Sequence, residues 1–250
     1  MYYGIKTGYN DAFIIDKETK DALIQEDPRS EEIIKPILRG RDIGRYKTEE
    51  IKEYLIGTHN GYRNAPRIDV KNYPAIKKHL DKHYHEINIR QDQGATPYNL
   101  RNCAYYGEFE KEKIAYSDIS TSPRFYLDRK NIYFTNTAYI LTGQNLIFLL
   151  GVLNSKLFTF IFKQFYAGGG LGDHGYRYFK LFLENVPIPY PSKRKTIIKK
   201  QVEKYVECIM DDVSIGQRNE ILDSRIDQLI YEYYELTDKE INLTIKGMKN

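Results

Sequence analysis

The stretch 146–166, LIFLLGVLNSKLFTFIFKQFY, divides the chain and decides how the rest of it is read. It is the most apolar run in the protein, yet Asn154, Ser155, Lys156, Lys163 and Gln164 interrupt it. Its longest unbroken apolar piece falls far short of the ~18 residues that a membrane span needs. We read it as one long buried helix in a soluble, cytoplasmic protein with no membrane partner. Ahead of it, short strand-like runs alternate with long polar loops. Glu53-Tyr54-Leu55-Ile56 and Lys113-Ile114-Ala115-Tyr116 are the clearest strands, Ala12-Phe13-Ile14-Ile15 is a shorter one, and residues 131–141 are rich in Tyr, Thr and Ile. A helix is expected over 74–86, where Pro74 suits a first turn and Ile76, Leu80 and Tyr84 recur every four residues.

Behind it the periodicity is helical. A glycine-rich loop (168–175) and an extended exit (186–191) lead to two apolar stripes, Ile198, Val202, Tyr205 and Ile209, then Leu222, Ile226, Leu229, Ile230 and Tyr233. The connector around Gly216 is short enough to fold the two helices back on each other. Thr237-Asp238-Lys239-Glu240 is a capping-box pattern that opens a last short helix. The expected fold class is mixed α/β (α+β): a twisted sheet with flanking helices, then a C-terminal helical hairpin. Residues 1–190 form the body and 191–250 a helical spacer, each of whose two main helices has one apolar face.

With 250 residues, 41% of them hydrophobic, the chain can build a core without metals or disulfides. Cys103 and Cys208 lie far apart, outside any Cys-x-x-Cys pair, and read as reduced thiols. No charged-then-apolar leader opens the chain. The net charge of +4 says little, but its distribution says more. Residues 59–107 hold eight basic side chains (Arg63, Arg67, Lys71, Lys77, Lys78, Lys82, Arg90, Arg101) against four acidic ones (Asp69, Asp81, Glu86, Asp92), an excess equal to that of the whole chain. Tyrosine is abundant (23) and tryptophan absent. Tyr mixed with Arg, Lys and Asn suits a surface that bonds and stacks against a polyanion.

Catalytic signatures are missing. There is no Asn-Pro-Pro-Tyr or Asp-Pro-Pro-Tyr of adenine N6-methylation and no Gly-x-x-x-x-Gly-Lys-Ser/Thr phosphate loop. A restriction-type nuclease joins Pro-Asp to a later Asp/Glu-x-Lys, carboxylates that hold a metal beside a lysine. Glu18-Thr19-Lys20, Glu50-Ile51-Lys52 and Asp69-Val70-Lys71 supply the short half, but no Pro-Asp exists. Gly170-Leu171-Gly172-Asp173-His174-Gly175 matches Gly-x-Gly-x-x-Gly, with a helix before it and strand-like residues after it, the reverse of a dinucleotide site. It reads as a tight connection, or as a loop that lets a phosphate approach beside Arg177. His79, His83 and His85 sit on the expected helix, but no Glu follows His79 as a zincin requires, so they read as a solvated face. No catalytic residue and no metal ligand is assigned.

Six segments carry a resemblance: Gly4-Ile5-Lys6-Thr7-Gly8-Tyr9-Asn10-Asp11-Ala12-Phe13; Leu38-Arg39-Gly40-Arg41-Asp42-Ile43 with Tyr46; Thr96-Pro97-Tyr98-Asn99-Leu100-Arg101; Phe109-Glu110-Lys111 running into Lys113-Ile114; Leu150-Gly151-Val152-Leu153-Asn154-Ser155-Lys156-Leu157; and Val186-Pro187-Ile188-Pro189. Together and in this order they resemble the C-terminal target-recognition (specificity) domain of type IIG restriction–modification enzymes, the TaqI-methyltransferase-like group, over nearly the whole chain. The resemblance implies bacterial defence and sequence-specific recognition of double-stranded DNA. It also implies that adenine N6-methylation and cleavage belong to methyltransferase and endonuclease parts elsewhere in the polypeptide or in a partner subunit. The helix pair after Pro191 would then be a spacer whose stripes pack on the catalytic part, with a self-contained hairpin as the alternative. S-adenosylmethionine and Mg²⁺ would be cofactors of that parent enzyme, and this chain would hold none. Met1 directly ahead of the first motif points to an excised piece or a separately encoded subunit. A half-size type I-like specificity subunit and a self-sufficient metal-dependent DNA nuclease stand as alternatives.

Arg bidentate to guanine, and Asn or Gln to adenine, are the strongest base readers. Three loops between strands hold these types (59–67, 90–102 and 117–124), giving as base-reading candidates Asn60, Arg63, Asn64, Arg67, Arg90, Gln91, Gln93, Asn99, Arg101, Asn102 and Arg124. Arg39, Arg41, Lys77, Lys78, Lys82 and Arg177 are candidates for phosphate contact, with internal pairing to Asp42 as the other use for Arg39, Arg41 and Arg45.

Overall fold

The run Lys113-Ile114-Ala115-Tyr116-Ser117 is buried along its whole length, because both faces of the sheet that contains it are covered. The computed structural model describes residues 1–166, 171, 175–189, 192–214 and 219–247. Its strands are β1 (Tyr2–Tyr3), β2 (Ile14–Asp16), β3 (Ile34–Leu38), β4 (Glu53–Ile56), β5 (Lys113–Ser117), β6 (Ile119–Ser120), β7 (Phe125–Asp128), β8 (Tyr133–Phe134), β9 (Ala138–Leu141) and β10 (Tyr176–Arg177). Its helices are α1 (Asn10–Phe13), α2 (Lys17–Glu26), α3 (Pro74–Asp81), α4 (Tyr84–Ile89), α5 (Leu146–Leu153), α6 (Lys156–Ile161), α7 (Lys180–Leu183), α8 (Lys193–Ser214), α9 (Glu220–Tyr233) and α10 (Asp238–Gly247).

The mixed α/β class holds, but the single expected sheet is, among the described residues, two four-stranded sheets and a two-stranded ribbon. One sheet, ordered β1-β9-β5-β7, is antiparallel throughout. The other, ordered β2-β4-β3-β8, is antiparallel except where β8 runs parallel to β3. Because side chains alternate across a strand, Ile114 and Tyr116 enter one core and Ala115 the other. The first core gathers Ala115, Ala138 and Ile140 with the second sheet and with Ile76 and Leu80 of α3. The second joins Phe125 and Leu127 to α5, α6, α8 and α9.

This second core consumes the apolar stripes of the hairpin. Ile198, Val202, Val206 and Ile209 of α8, and Ile226, Leu229, Ile230 and Tyr233 of α9, are buried within the chain itself. A Cβ on Gly151 of α5 would lie 2.8 Å from Val202 and 3.0 Å from Val206, so a glycine lets the helices touch. The hairpin is thus packed into the body, and its stripes are not left for an outside partner. The capping box at Thr237 is formed, with Glu240 accepting from the Thr237 backbone at 2.7 Å.

The 146–166 stretch is not one helix. It bends by 59° between α5 and a second segment that ends in a π-helical turn, Phe162–Tyr166. Asn154 causes the break: its side chain accepts from Phe125 N and donates to Phe125 O, while Ser155 caps α6 through Phe158 N. Among the described residues no single helix is long and apolar enough to cross a membrane. The expected helix over 74–86 splits into α3 and α4, where Lys82 and His83 bond back three residues instead of four. Residues 131–141 likewise divide into β8 and β9, which belong to different sheets, and Ala12-Phe13 is helical.

Lys113 and Asp128 face each other across β5 and β7, both fully buried, at 2.5 Å. Lys113 Nζ also donates to Phe109 O and Lys111 O, and Asp128 also accepts from Lys130 N and Ile132 N. Every donor of the ammonium is therefore satisfied, the condition for tolerating a buried charge.

Candidate nucleic-acid interface

The first loop leaves β4 and turns back on itself through Tyr62 and Ala65, which exchange backbone hydrogen bonds. Arg63, at its tip, takes a φ of 48°, a conformation that costs a side-chain-bearing residue about 1–2 kcal/mol. Glu108 offsets that cost by accepting from Arg63 Nη2 at 2.5 Å. Glu108 is itself buried and also takes bonds from Lys111 and Thr142. Burial pushes its carboxyl up, but these partners outweigh burial and hold it below the usual carboxylate range. Asn64 and Arg67 are exposed on the same loop.

The second loop is a hairpin-like excursion closed by a bridge between Gln93 and Leu100. It is bonded to the first loop at several points. Leu100 N donates to Thr58 O, Thr58 Oγ1 donates to Tyr98 O, and Asn60 bonds both Asn102 and the Ala95 amide. The two loops therefore form one unit, with Gln91, Gln93, Arg101 and Asn102 exposed on it. Arg101 pairs with Asp92 at 3.0 Å, and Asp92 also holds Lys6 from the N-terminal segment at 2.7 Å. Beside them lies a pocket of about 120 Å³ lined in part by Tyr3, Lys6, Arg101, Asn102 and Tyr105.

Two base-reading candidates are corrected by their burial. Asn99 is 1% exposed and ties the loop roots together: its amide donates to Ile68 O and its oxygen accepts from Thr96. Arg90 is 6% exposed, lies 4.1 Å from the Phe13 ring centre and donates to Asn99 O. Burial pushes its guanidinium pKa down to about 10. Both hold the loop and present no polar edge to a ligand.

The third loop pairs with β10 through β6, placing Ile119 opposite Arg177. Arg177 is exposed, with its guanidinium 4.9 Å from the Phe179 ring centre. The neighbouring Asp118 has one oxygen buried without a partner, and burial raises its carboxyl pKa while Arg177 opposes the rise. Tyr3, tilted against Tyr139 with ring centres 5.0 Å apart, lies within electrostatic reach of Asp118 and Arg177 at the third loop and of Lys6 in the N-terminal segment. Apart from Gly175 and Leu171, the Gly-x-Gly-x-x-Gly match lies outside the described residues.

The remaining candidates are scattered. Arg124 opens onto a groove with Arg45, Lys47 and Asn219. Arg39 donates twice to Glu53 and belongs to the framework, and Arg41 is exposed beside Asp42. Arg45 is likewise internal, bonded to Asp223 and Asn154 O and not to Asp42. Lys77 flanks the second loop, sharing Asp81 with Tyr98, whereas Lys78 turns away to Glu26. Lys82 is exposed past the end of α3. Among the described residues no three His, Cys, Asp or Glu side chains converge as metal ligands, and His79 bonds Ala12 O. Reading by residue type missed Lys6, Asp92, Tyr3 and Glu108. Only Gly8, inside the N-terminal motif, signalled that another segment lies against the second loop.

The fold is similar to that of the type IIL restriction–modification enzyme MmeI in complex with DNA, with a TM-score of 0.69 at 15% identity. That likeness covers 100% of this chain and 35% of the MmeI chain, so the protein spans about a third of the larger enzyme's length. No curated protein sequence matches the chain. The model of the TaqI-like C-terminal specificity domain matches residues 35–188, more than half of the chain and the part that holds all three loops. By that match the chain belongs to the TaqI-like C-terminal specificity domain family.

Proposed function

We propose that this domain reads a short sequence in double-stranded DNA for a restriction–modification enzyme whose chemistry resides in other parts. The observation that carries the reading is the bonded pair of loops, which puts Arg63, Asn64, Arg67, Gln91, Gln93, Arg101 and Asn102 on one exposed unit. Side chains of these types discriminate base edges in the major groove, each good bidentate pair contributing about 1–3 kcal/mol. We assign phosphate contacts, which would position the duplex without reading it, to Lys77, which shares Asp81 with Tyr98 of the second loop, and to the exposed Lys82 and Arg177. S-adenosylmethionine and Mg²⁺ belong to the parent enzyme, where an adenine is extruded from the stack for methylation.

Selection of duplexes from a randomised pool tests the reading, with binding repeated at rising salt. We expect enrichment of a short motif, and affinity that falls as salt rises. Arg101→Ala relaxes one position of the motif, whereas Lys82→Ala weakens all sequences alike. Failure of the chain to bind duplex DNA, or cleavage of DNA by the chain alone with Mg²⁺, overturns the proposal.

A further inference from the structure

Asp92 is an acidic residue in the middle of a surface assigned to a polyanion, and its geometry is built from two sides. The Gln93–Leu100 bridge sets Asp92 opposite Arg101 across the neck of the second loop. From the other side comes the N-terminal segment, which lies close because residue 8 has no side chain. A Cβ on Gly8 would stand 3.0 Å from Asp92 Cβ and 3.1 Å from Arg90 Cδ, and its φ of 74° also favours glycine. This approach delivers Lys6. One carboxylate thus holds two cations from separate segments, Lys6 on Oδ2 and Arg101 on Oδ1. All three side chains reach solvent, at 19% exposure for Asp92, 45% for Lys6 and 52% for Arg101.

We propose that Asp92 is a positioning residue for discrimination, which keeps Lys6 and Arg101 ion-paired so that duplex of arbitrary sequence is bound weakly. The proposal rests on the reading that this face binds duplex DNA. Non-specific binding is almost wholly phosphate charge, so a carboxylate that neutralises one of two cations and repels the backbone lowers that part of the affinity directly. Contacts to base edges are short-ranged hydrogen bonds and lose less. The ratio of specific to non-specific affinity rises as a result, although absolute affinity falls. The Lys6 ammonium, with Arg101 beside it, holds the Asp92 carboxyl below the usual carboxylate range, so the latch stays charged at neutral pH.

The test measures binding of the full chain to a mixed-sequence duplex across a salt series. Asp92→Asn removes the charge with little change of shape, and solvent-facing pairs contribute little to folding, so the melting temperature should stay nearly constant. We expect Asp92→Asn to bind random duplex roughly 3- to 10-fold more tightly, with a salt slope steeper by about 0.9, equivalent to one additional phosphate. Its enrichment of a motif from a randomised pool should fall. Asp92→Glu should keep the wild-type slope, and Lys6→Gln combined with Asp92→Asn should return close to it. A gain of binding is a change that local unfolding does not produce. Equal slopes and affinities in wild type and Asp92→Asn overturn the latch while leaving DNA recognition standing. Indifference of both proteins to duplex overturns the recognition itself, and the latch with it.

Discussion

Replacing Asp128 by Ala should destabilise the domain more than replacing Lys113 by Met, although the two side chains belong to one ion pair. The difference lies in what each substitution strands. Without Asp128, the Lys113 ammonium keeps only Phe109 O and Lys111 O in a fully buried site, and the amides of Lys130 and Ile132 lose their acceptor as well. Breaking a buried pair from one side costs about 3–5 kcal/mol, and each stranded amide adds about 1–3 kcal/mol where water cannot reach it. We expect about 5 kcal/mol or more for Asp128→Ala. Lys113→Met keeps the volume and leaves Asp128 its two amide donors, so about 3 kcal/mol is expected. The double variant Lys113→Met/Asp128→Ala should lose less than the sum of the singles, with a coupling of about 2 kcal/mol. Urea unfolding followed by circular dichroism measures all three. If Asp128→Ala proves no worse than Lys113→Met, or if the two effects simply add, then the pair is not the buried network described here.

Other expectations follow from the loops and their supports. Asn99→Ala removes the bonds to Ile68 O and from Thr96 and should cost about 2–3 kcal/mol, with loss of duplex binding at the second loop, read by melting and by titration. Gly40→Ala places a methyl against the Thr137 carbonyl and should lower stability by about 1–3 kcal/mol, a fall in melting temperature of several degrees. Glu108 has a depressed carboxyl pKa, so its contribution is fully present above the unfolded-state value and is lost as pH falls through the folded one. Acidification through and below the ordinary carboxylate range should therefore release the Arg63 tip, seen as faster amide exchange over residues 61–65, and Glu108→Gln should abolish that dependence.

How much of this was legible depended on how local the physics is. β4 and β5 were readable because a short strand declares itself by apolar and β-branched content. The α8–α9 hairpin was readable because its period is unmistakable, although period alone says nothing about what covers the stripes. The bend at Asn154 was not readable. An asparagine inside an apolar run reads as an interruption, and only the Phe125 backbone across the core explains why it belongs there. The loops behaved in the same way. Residue type nominated Arg90 and Asn99 as readers, yet both are turned inward, because a long loop needs its own buried polar network before it can present anything. Asp92, discounted as an acid in a basic segment, gains its meaning from Lys6, 86 positions earlier.

The motifs through which the chain resembles its family therefore have a different meaning from the one that their polar residues invite. Gly8 and Phe13 cradle Arg90, Arg39 pairs with Glu53, Asn99 joins the loop roots, Lys113 anchors the turn that carries Glu108, and Asn154 locks α5 to the sheet. Each is a fixture of the frame. The exposed candidates at the rim (Arg63, Asn64, Arg67, Gln91, Gln93) lie in the stretches between those motifs, and among the exposed readers of the two joined loops only Arg101 falls inside one. A frame built from buried ion pairs and carbonyl contacts fixes where the rim stands to within a side chain's reach, while leaving the identity of the rim residues other than Arg63, which is tied to buried Glu108, free of any packing constraint. Under the proposed function, specificity would then change by substitution at the loop tips with little loss of stability, and the substitutions that unfold the domain would be those in the motifs.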